Sequence, residues 1–308
     1  MMNRREFVGT TAGVASALLL RAQEASPWGE PVIDIHHHTR RAPESDMEHL
    51  NGVGIPRANL LTGARAVDRA KVLMEQHPHR FIHFVSADIA QPEGLELLSK
   101  LVKDGARGMG EIKLHLPLDG PEMRRLYAVA AELNVPVLIH FQEVEHFPGE
   151  GNFAWNFPKL GGILKEFSKT TFIGHADNFW ANISADVPGD ASYPQGPVKR
   201  GGFTDRWLAE YPNLYGDVAA GSGNNSLNRD IEFAAGFVER HQDKLMFGSD
   251  CPCADGHGKG QNQKFYPVRL HGECLARNTL TTLKKIASSD VFRKITWQNA
   301  ARVLKFNS

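Results

Sequence analysis

The strongest constraint on the fold is an alternation of apolar runs of strand length with segments of helical periodicity, which starts near residue 31. Most of these runs are continuously apolar, as expected for parallel strands that are buried on both faces. Repeated strand–helix units in one domain predict an α/β architecture. The eight predicted strands are Val32–His36, a weak one at Val53–Leu61, Phe81–Ala87, Gly108–Leu114, Val135–Phe141, Thr171–Gly174, Leu214–Val218 and Leu245–Gly248.

Eight such units in a chain of 308 residues fit a (β/α)8 TIM barrel, whose usual size is about 250 residues. The alternative is an open, doubly wound sheet, but no GxGxxG turn follows the first predicted strand. The predicted helices are Leu60–Gln76, Glu93–Lys103, Pro121–Leu133, Phe157–Lys169, Phe203–Glu210, Asn228–Arg240, Leu280–Ser288 and Asp290–Phe306.

Two long irregular segments, Glu143–Trp155 and Asn178–Gly202, each follow a strand that ends at or near a histidine. In a TIM barrel the loops that follow the strands build the catalytic face. We therefore expect both segments to cover a substrate.

The first residues have the pattern of an export signal. Arg4 and Arg5 precede the apolar run Val8–Leu20, and small residues follow up to Ala25. This predicts a signal peptide of the twin-arginine type over residues 1–25, followed by a single barrel domain over residues 26–308. The alternative is a buried N-terminal helix. The run is shorter than the ~20 residues of a membrane span, so we predict a periplasmic or otherwise exported protein with no membrane span after cleavage, and the twin-arginine export machinery as a partner.

The overall charge excludes one class of partner. The chain has 35 basic and 35 acidic residues and shows no basic stripe, so nothing indicates nucleic-acid binding. Its three cysteines are Cys251, Cys253 and Cys274. Because the first two form a CxC rather than a CxxC pattern, we predict unpaired thiols, or at most one disulfide. A homo-oligomer is possible.

Polar residues end several of the predicted strands. His36 and His38 are two positions apart, so their side chains share one face of an extended segment. His140, His175 and Asp250 end three other strands. Imidazole and carboxylate ligands suit zinc, manganese, iron or nickel, and three or four nitrogen ligands favour zinc. The alternative for each histidine is an ordinary hydrogen-bonded residue at a strand end.

The fourth predicted strand adds Glu111, Lys113 and His115 on one face. We predict Glu111 as a metal ligand and the other two as substrate-binding residues. Asp34 is predicted to orient a ligating imidazole. Two further carboxylates, Asp177 and Asp217, are expected to be structural.

Taken together, these motifs resemble the amidohydrolase superfamily, in particular its amidohydrolase-related branch of metal-dependent hydrolases and decarboxylases. The resemblance covers residues 31–306. It rests on Asp-Ile-His-His-His at 34–38, Pro-Val-Leu-Ile-His at 136–140, Gly-His at 174–175 and Phe-Gly-Ser-Asp-Cys-Pro at 247–252, with weaker matches at 210–220 and 299–304.

The resemblance implies one or two divalent metals at the C-terminal face of the barrel. His36 and His38 would bind the first metal, and His140 and His175 would be further ligands. Asp250 would bind metal or water and act as the general base. Glu111 matches the bridging carboxylate of the deoxyribonuclease-like members of the superfamily. Other members use a carboxylated lysine, for which Lys113 is the candidate, or a single metal.

There are three hypotheses for the function, and the first two follow from this resemblance. The first is hydrolysis of an amide, lactone or ester bond by a metal-activated water, with Asp250 moving the proton and His175 or Lys113 stabilising the oxyanion. The second is non-oxidative decarboxylation of an aromatic or unsaturated carboxylic acid. The third is a binding protein that has kept the barrel but lost the chemistry.

Overall fold

The computed structural model describes residues 26–306 except 188, 190 and 263. Its sheet has eight parallel strands in sequential order. They are β1 (Ile33–His38), β2 (Arg57–Gly63), β3 (Phe81–Ser86), β4 (Gly108–Ile112), β5 (Val137–His140), β6 (Phe172–His175), β7 (Leu214–Asp217) and β8 (Leu245–Met246). The predicted signal peptide lies outside the described residues.

Backbone hydrogen bonds join the first strand to the segment after the last one. Ile35 N donates to Phe247 O over 3.1 Å, and Asp250 N donates to His36 O over 2.8 Å. The sheet is therefore a nearly closed barrel, and the predicted (β/α)8 TIM fold is confirmed.

The helices form a layer around this barrel. They are α1 (Pro43–Val53), α2 (Val67–Gln76), α3 (Pro92–Lys103), α4 (Pro121–Glu132), α5 (Leu160–Glu166), α6 (Asp177–Ala181), α7 (Phe203–Glu210), α8 (Ala220–Asn228), α9 (Ile231–Arg240), α10 (Leu275–Ile286), α11 (Ser289–Arg293) and α12 (Asn299–Val303), with a π-helix at Lys294–Gln298 and 3₁₀ turns at Ala64–Ala66, Phe157–Lys159 and Val268–Leu270. Among the described residues, no helix is both long and apolar enough to cross a membrane.

Two apolar cores reflect this layered arrangement. The larger core lies between the strands and the helices. The smaller core fills the barrel with strand residues such as Ile33, Ile35, Phe84 and Leu138. On β1 an irregularity in the strand register between Asp34 and His37 interrupts the simple alternation of faces. The C-terminal Phe306 packs against this inner core. Because the interior is filled below, polar chemistry is confined to the rim where the strands end.

The helix boundaries differ from the predictions where tertiary contacts outweigh local preference. Helix α8 was not predicted, because its sequence Ala-Gly-Ser-Gly-Asn-Asn-Ser-Leu-Asn is rich in poor helix formers. It is nevertheless buried along almost its whole length, and Asn224 Nδ2 bonds Asn278 Oδ1 and Thr279 Oγ1 of α10. The predicted strand at Val53–Leu61 was wrong at its start, because α1 continues to Val53 and ends at Gly54, whose φ is 84°.

The predicted C-terminal helix Asp290–Phe306 is divided into α11, the π-helix and α12. Within the π-helix, the carbonyl of Ile295 accepts a hydrogen bond from Phe247 N, which follows β8, over 2.9 Å. The wider turn therefore lies where the C-terminal segment is bonded to the barrel.

Candidate active site

The two alternating histidines of β1 share one face, as strand geometry requires. Their Nε2 atoms are 3.3 Å apart. His37 points the opposite way and bonds Asp46 over 2.7 Å. His36 is fully buried, whereas the side chain of His38 is half exposed at the rim. The pair thus presents two imidazole nitrogens to one point above the barrel core.

Glu111 lies between two groups of histidines. Its Oε2 is 3.3 Å from His38 Nε2 and 3.9 Å from His36 Nε2. Its Oε1 is 2.5 Å from His140 Nδ1 and 3.7 Å from His175 Nε2. Each carboxylate oxygen therefore faces a different pair of imidazoles.

Asp250 completes the cluster from the segment after β8. Its Oδ1 is 3.6 Å from His38 Nε2, and its Oδ2 is 3.9 Å from His175 Nε2. The residues form three overlapping sets whose possible ligand atoms lie within 4.8 Å of one another: His36, His38 and Glu111; Glu111, His140 and His175; and His36, His175 and Asp250. All six predicted metal ligands are thus brought together.

The surroundings of His175 fit a metal better than a hydrogen-bond network. His175 Nε2 is buried without a hydrogen-bond partner among the described residues, which is unusual for a buried imidazole nitrogen. It is separated from Glu111 and Asp250 by 3.7 and 3.9 Å, too far for a hydrogen bond. Two donors that share one ion at about 2.1 Å each lie about 3 to 4 Å apart. An ion among these side chains would satisfy the orphan nitrogen.

The electrostatics of the cluster favour positive charge. Burial alone would lower the pKa of His36 and of His175, but carboxylates that include Asp217 and Asp250 outweigh it and raise both. Burial alone would raise the pKa of Glu111, but the surrounding histidines hold it well below its usual range. Ionised carboxylates thus surround the imidazoles and favour a positive charge at the centre of the cluster.

Asp217 is a site residue that sequence reasoning placed in a structural role. It is fully buried at the end of β7, and its Oδ2 is 2.6 Å from His36 Nδ1 and 3.2 Å from His175 Nδ1. A carboxylate on Nδ1 turns the Nε2 atom of each ring towards the cluster and fixes its tautomer. The signal was present in the sequence, because Leu-Tyr-Gly-Asp ends a strand in the same way as the strands that carry the histidines.

Asp34 was predicted to orient a ligating imidazole, but the hydrogen bonds that it accepts come from backbone groups. Its Oδ1 accepts hydrogen bonds from the backbone N–H groups of His36 (2.9 Å) and Ser249 (2.8 Å). It therefore fixes the backbone of β1 against the segment that carries Asp250, and within the described residues it forms no hydrogen bond with an imidazole. Gly248 belongs to the same junction, because a Cβ there would lie 2.2 Å from Asp217 Oδ1.

A cavity of about 580 Å³ opens above the cluster. His38, His140 and Asp250 lie at its base. Its walls come from the two predicted covering segments and from the segment after β8. His146 forms part of one wall, stacked on Phe265 with ring centroids 4.4 Å apart and bonded to Asp177 Oδ2 over 2.5 Å.

Three residues at this rim have left-handed backbone conformations. They are Ala176 (φ 75°), Ala220 (φ 60°) and Asp250 (φ 44°), and all three line the cavity. Such conformations cost about 1–3 kcal/mol each for residues other than glycine and are concentrated at functional sites. The strain redirects the chain where β6, β7 and β8 give way to the loops.

The structure separates the two predicted substrate-binding residues. Lys113 lines the cavity, with its Nζ 3.6 Å from Glu150 Oε1 and 4.7 Å from the centroid of the Phe153 ring. Its ammonium group thus faces a loop carboxylate and an aromatic ring, and this geometry gives no support to a role as a bridging carboxylated lysine. His115 is exposed, stacks on Phe153 and contacts Asn152 O over 2.9 Å. Since His115 does not line the cavity, its predicted role gains no support either.

His175 was also predicted to be catalytic. It is fully buried beneath the cavity and is absent from the cavity lining. This placement fits a metal ligand, and the catalytic role of His175 stays a prediction.

Comparison with solved structures finds barrels of the same architecture. A probable 2-pyrone-4,6-dicarboxylic acid hydrolase from Acinetobacter baumannii, with citric acid bound, has a TM-score of 0.58 at 13% identity, over 89% of this chain and 99% of that one. A dihydroxybenzoic acid decarboxylase from Polaromonas, with bound manganese and 2-nitroresorcinol, has a TM-score of 0.52 at 15% identity, over 91% and 98%. A dihydroorotase from Campylobacter jejuni has a TM-score of 0.50 at 15% identity, over 91% and 84%. At these identities the likenesses show the fold alone.

No curated protein matches the sequence. The Amidohydrolase family profile, however, matches residues 33–306, which is nearly all of the chain that the structure describes. The prediction of an enzyme of the metal-dependent hydrolase type is confirmed at this level, and the chain belongs to the amidohydrolase family.

Proposed function

We propose that this protein hydrolyses an amide, lactone or ester bond of a small substrate at a centre of two divalent metal ions. One observation carries the proposal: the two oxygens of Glu111 face different pairs of histidines. His36 and His38 would hold one ion, His140 and His175 the other, and Glu111 would bridge them. The buried His175 Nε2 atom, which lacks a hydrogen-bond partner, supports the same arrangement.

When bound, the ions would acidify a water molecule and polarise the scissile carbonyl group. Asp250 lies between the cluster and the cavity, and its side chain is 29% exposed, so it can reach both water and substrate. It would accept the proton from the attacking water and deliver it to the leaving group. Asp217 keeps the rings of His36 and His175 oriented throughout, because it contacts the Nδ1 atom of both.

The cavity walls indicate the kind of substrate. Tyr193, Phe265 and Tyr266 line one side and provide apolar faces for a flat organic group. Burial raises the pKa of both tyrosines well above the usual value, so their phenols stay protonated and can donate hydrogen bonds. Lys113 adds an ammonium group, paired with Glu150 at 3.6 Å, that a substrate carboxylate could also meet. A small, partly planar acid with a hydrolysable bond suits these walls.

Decarboxylation is the second candidate, and the aromatic walls favour it equally, since the same cavity would accept an aromatic acid. With an ion held by the same residues to bind the carboxylate of such an acid, Asp250 would protonate the ring carbon as carbon dioxide leaves. The solved structures named above include hydrolases and a decarboxylase and do not separate the two reactions.

Isotopic labelling distinguishes the two chemistries. The metal-loaded protein would be offered 2-pyrone-4,6-dicarboxylate, simple aryl esters and lactones, and dihydroxybenzoates in ¹⁸O-enriched water. We expect one ¹⁸O atom in the new carboxylate of a cleaved ester or lactone. Carbon dioxide release with no ¹⁸O in the organic product would instead establish the decarboxylase. The same reaction run in heavy water should then place deuterium on the ring.

We propose zinc as the resident metal, because nitrogen ligands dominate the centre. Manganese, iron and nickel accept the same imidazole and carboxylate ligands, and the decarboxylase structure from Polaromonas contains manganese. Metal analysis of protein purified without chelators would identify the ion.

We also propose that the protein is exported through the twin-arginine machinery, on the pattern of residues 1–25. Replacing both Arg4 and Arg5 with lysine should retain the protein inside the cell, because the receptor reads the arginine pair. Cell fractionation would measure this, and unchanged export of the double variant would contradict it.

A further inference from the structure

A second cluster of possible metal ligands lies outside the site described above. Cys251, Cys253, Cys274 and His49 have their ligand atoms within 4.8 Å of one another. The Sγ atoms of Cys251 and Cys253 are 3.4 Å apart, those of Cys251 and Cys274 are 3.9 Å apart, and Cys253 Sγ is 3.4 Å from His49 Nδ1. All four residues are buried, and the cysteines are free.

These separations match those of a tetrahedral zinc site. With zinc–sulfur bonds near 2.3 Å and zinc–nitrogen bonds near 2.05 Å, two sulfurs on one ion lie about 3.8 Å apart, and a sulfur and a nitrogen about 3.5 Å apart. Three thiolates and one imidazole make up a closed ligand set of the kind that structural zinc sites use. No carboxylate belongs to the set, so it differs in chemistry from the histidine–carboxylate centre.

His49 and Cys253 lie side by side in the buried interior, with possible ligand atoms facing each other. The side chain of His49 is fully buried, and its Nδ1 atom faces the sulfur of Cys253 over 3.4 Å. Zinc binds cysteine in the deprotonated thiolate form. Cys274 is the N-terminal cap of α10, where a negative charge is stabilised.

We propose that His49, Cys251, Cys253 and Cys274 bind one structural zinc ion. Binding would displace the protons that remain on the three thiols. The ion would join α1, the segment after β8 and the start of α10, three parts of the chain that are distant in sequence. Because Cys251 directly follows Asp250, the ion would also fix the segment that carries the proposed general base. The proposal does not depend on which reaction the enzyme performs.

Cobalt substitution tests this site separately from the active site. The purified full chain carrying His36→Ala and His38→Ala, reduced and freed of metal, would be titrated with Co²⁺. We expect one equivalent to bind with an intense thiolate-to-cobalt charge-transfer band in the near ultraviolet, which nitrogen and oxygen ligands do not produce. Adding Cys274→Ser or His49→Gln should weaken or abolish the band, whereas His257→Gln, which alters an exposed histidine of the same segment, should leave it unchanged.

A measurement on the unaltered protein guards against variants that fail to fold. A mercurial reagent that blocks thiols should release one equivalent of zinc, detected with a chromogenic chelator, and thiol counting after denaturation should give three. A single free thiol would mean that two cysteines form a disulfide. Either that result or three thiols with no charge-transfer band and no zinc released would overturn the proposal.

Discussion

Replacing Asp250 with asparagine should lower turnover by about 10²- to 10⁴-fold, the range that a positioned general acid or base contributes, while the metal stays bound. The amide keeps the size of the carboxylate but cannot accept the proton of the attacking water. The metal should remain because the four histidines and Glu111, which make up two of the three possible ligand sets, are untouched. Steady-state kinetics and metal analysis of the same preparation would measure both effects.

Asp68→Asn is a matched control, because it makes the same chemical change at a side chain on α2 that is 93% exposed. Its turnover should equal that of the unaltered protein. Near-normal turnover in a fully metallated Asp250→Asn variant would remove Asp250 from the catalytic role.

The double replacement His36→Ala and His38→Ala should abolish turnover and remove metal from the histidine–carboxylate centre. Loss of a partner that only orients a ligand costs about 10- to 100-fold in metal affinity, and here two direct ligands are lost. The loss also leaves Asp217 without one of its two imidazole partners. Elemental analysis and activity measured on one preparation, with circular dichroism to establish folding, would test this.

His37→Gln provides the control within the same run of histidines. His37 points away from the cluster and bonds Asp46, and glutamine can still donate a hydrogen bond there. The variant should keep the active-site metal and turn over within a few-fold of normal. Loss of metal in this variant but not in the double variant would reverse the assignment of faces on β1.

The sequence predicted the site because the ends of parallel strands meet at one rim. His36, His140, His175 and Asp250 are between 35 and 104 residues apart along the chain from one to the next, yet each ends or follows a buried strand. Once the barrel closes, geometry alone brings them together. The alternation of His36 and His38 on β1 follows from strand periodicity in the same way.

Other features depend on contacts that no local pattern contains. His146 and Glu150 line the cavity from an irregular loop. In such a loop neither periodicity nor spacing predicts where a side chain lies. The cysteine cluster needs His49 from α1 and Cys274 from the start of α10. In the sequence, only Cys251 and Cys253 are neighbours, and two thiols do not make a metal site. Helix α8 forms because its polar side chains bond α10 in the interior, against its own weak propensity.

Counting manganese in the reconstituted protein by elemental analysis, together with its electron paramagnetic resonance spectrum, tests the central claim most directly. Manganese prefers nitrogen and oxygen ligands over thiolates, so the cysteine cluster would not contribute. A centre bridged by Glu111 predicts two ions per chain and a spin-coupled spectrum from two neighbouring ions. One ion per chain with the spectrum of isolated manganese would contradict a bridging role for Glu111.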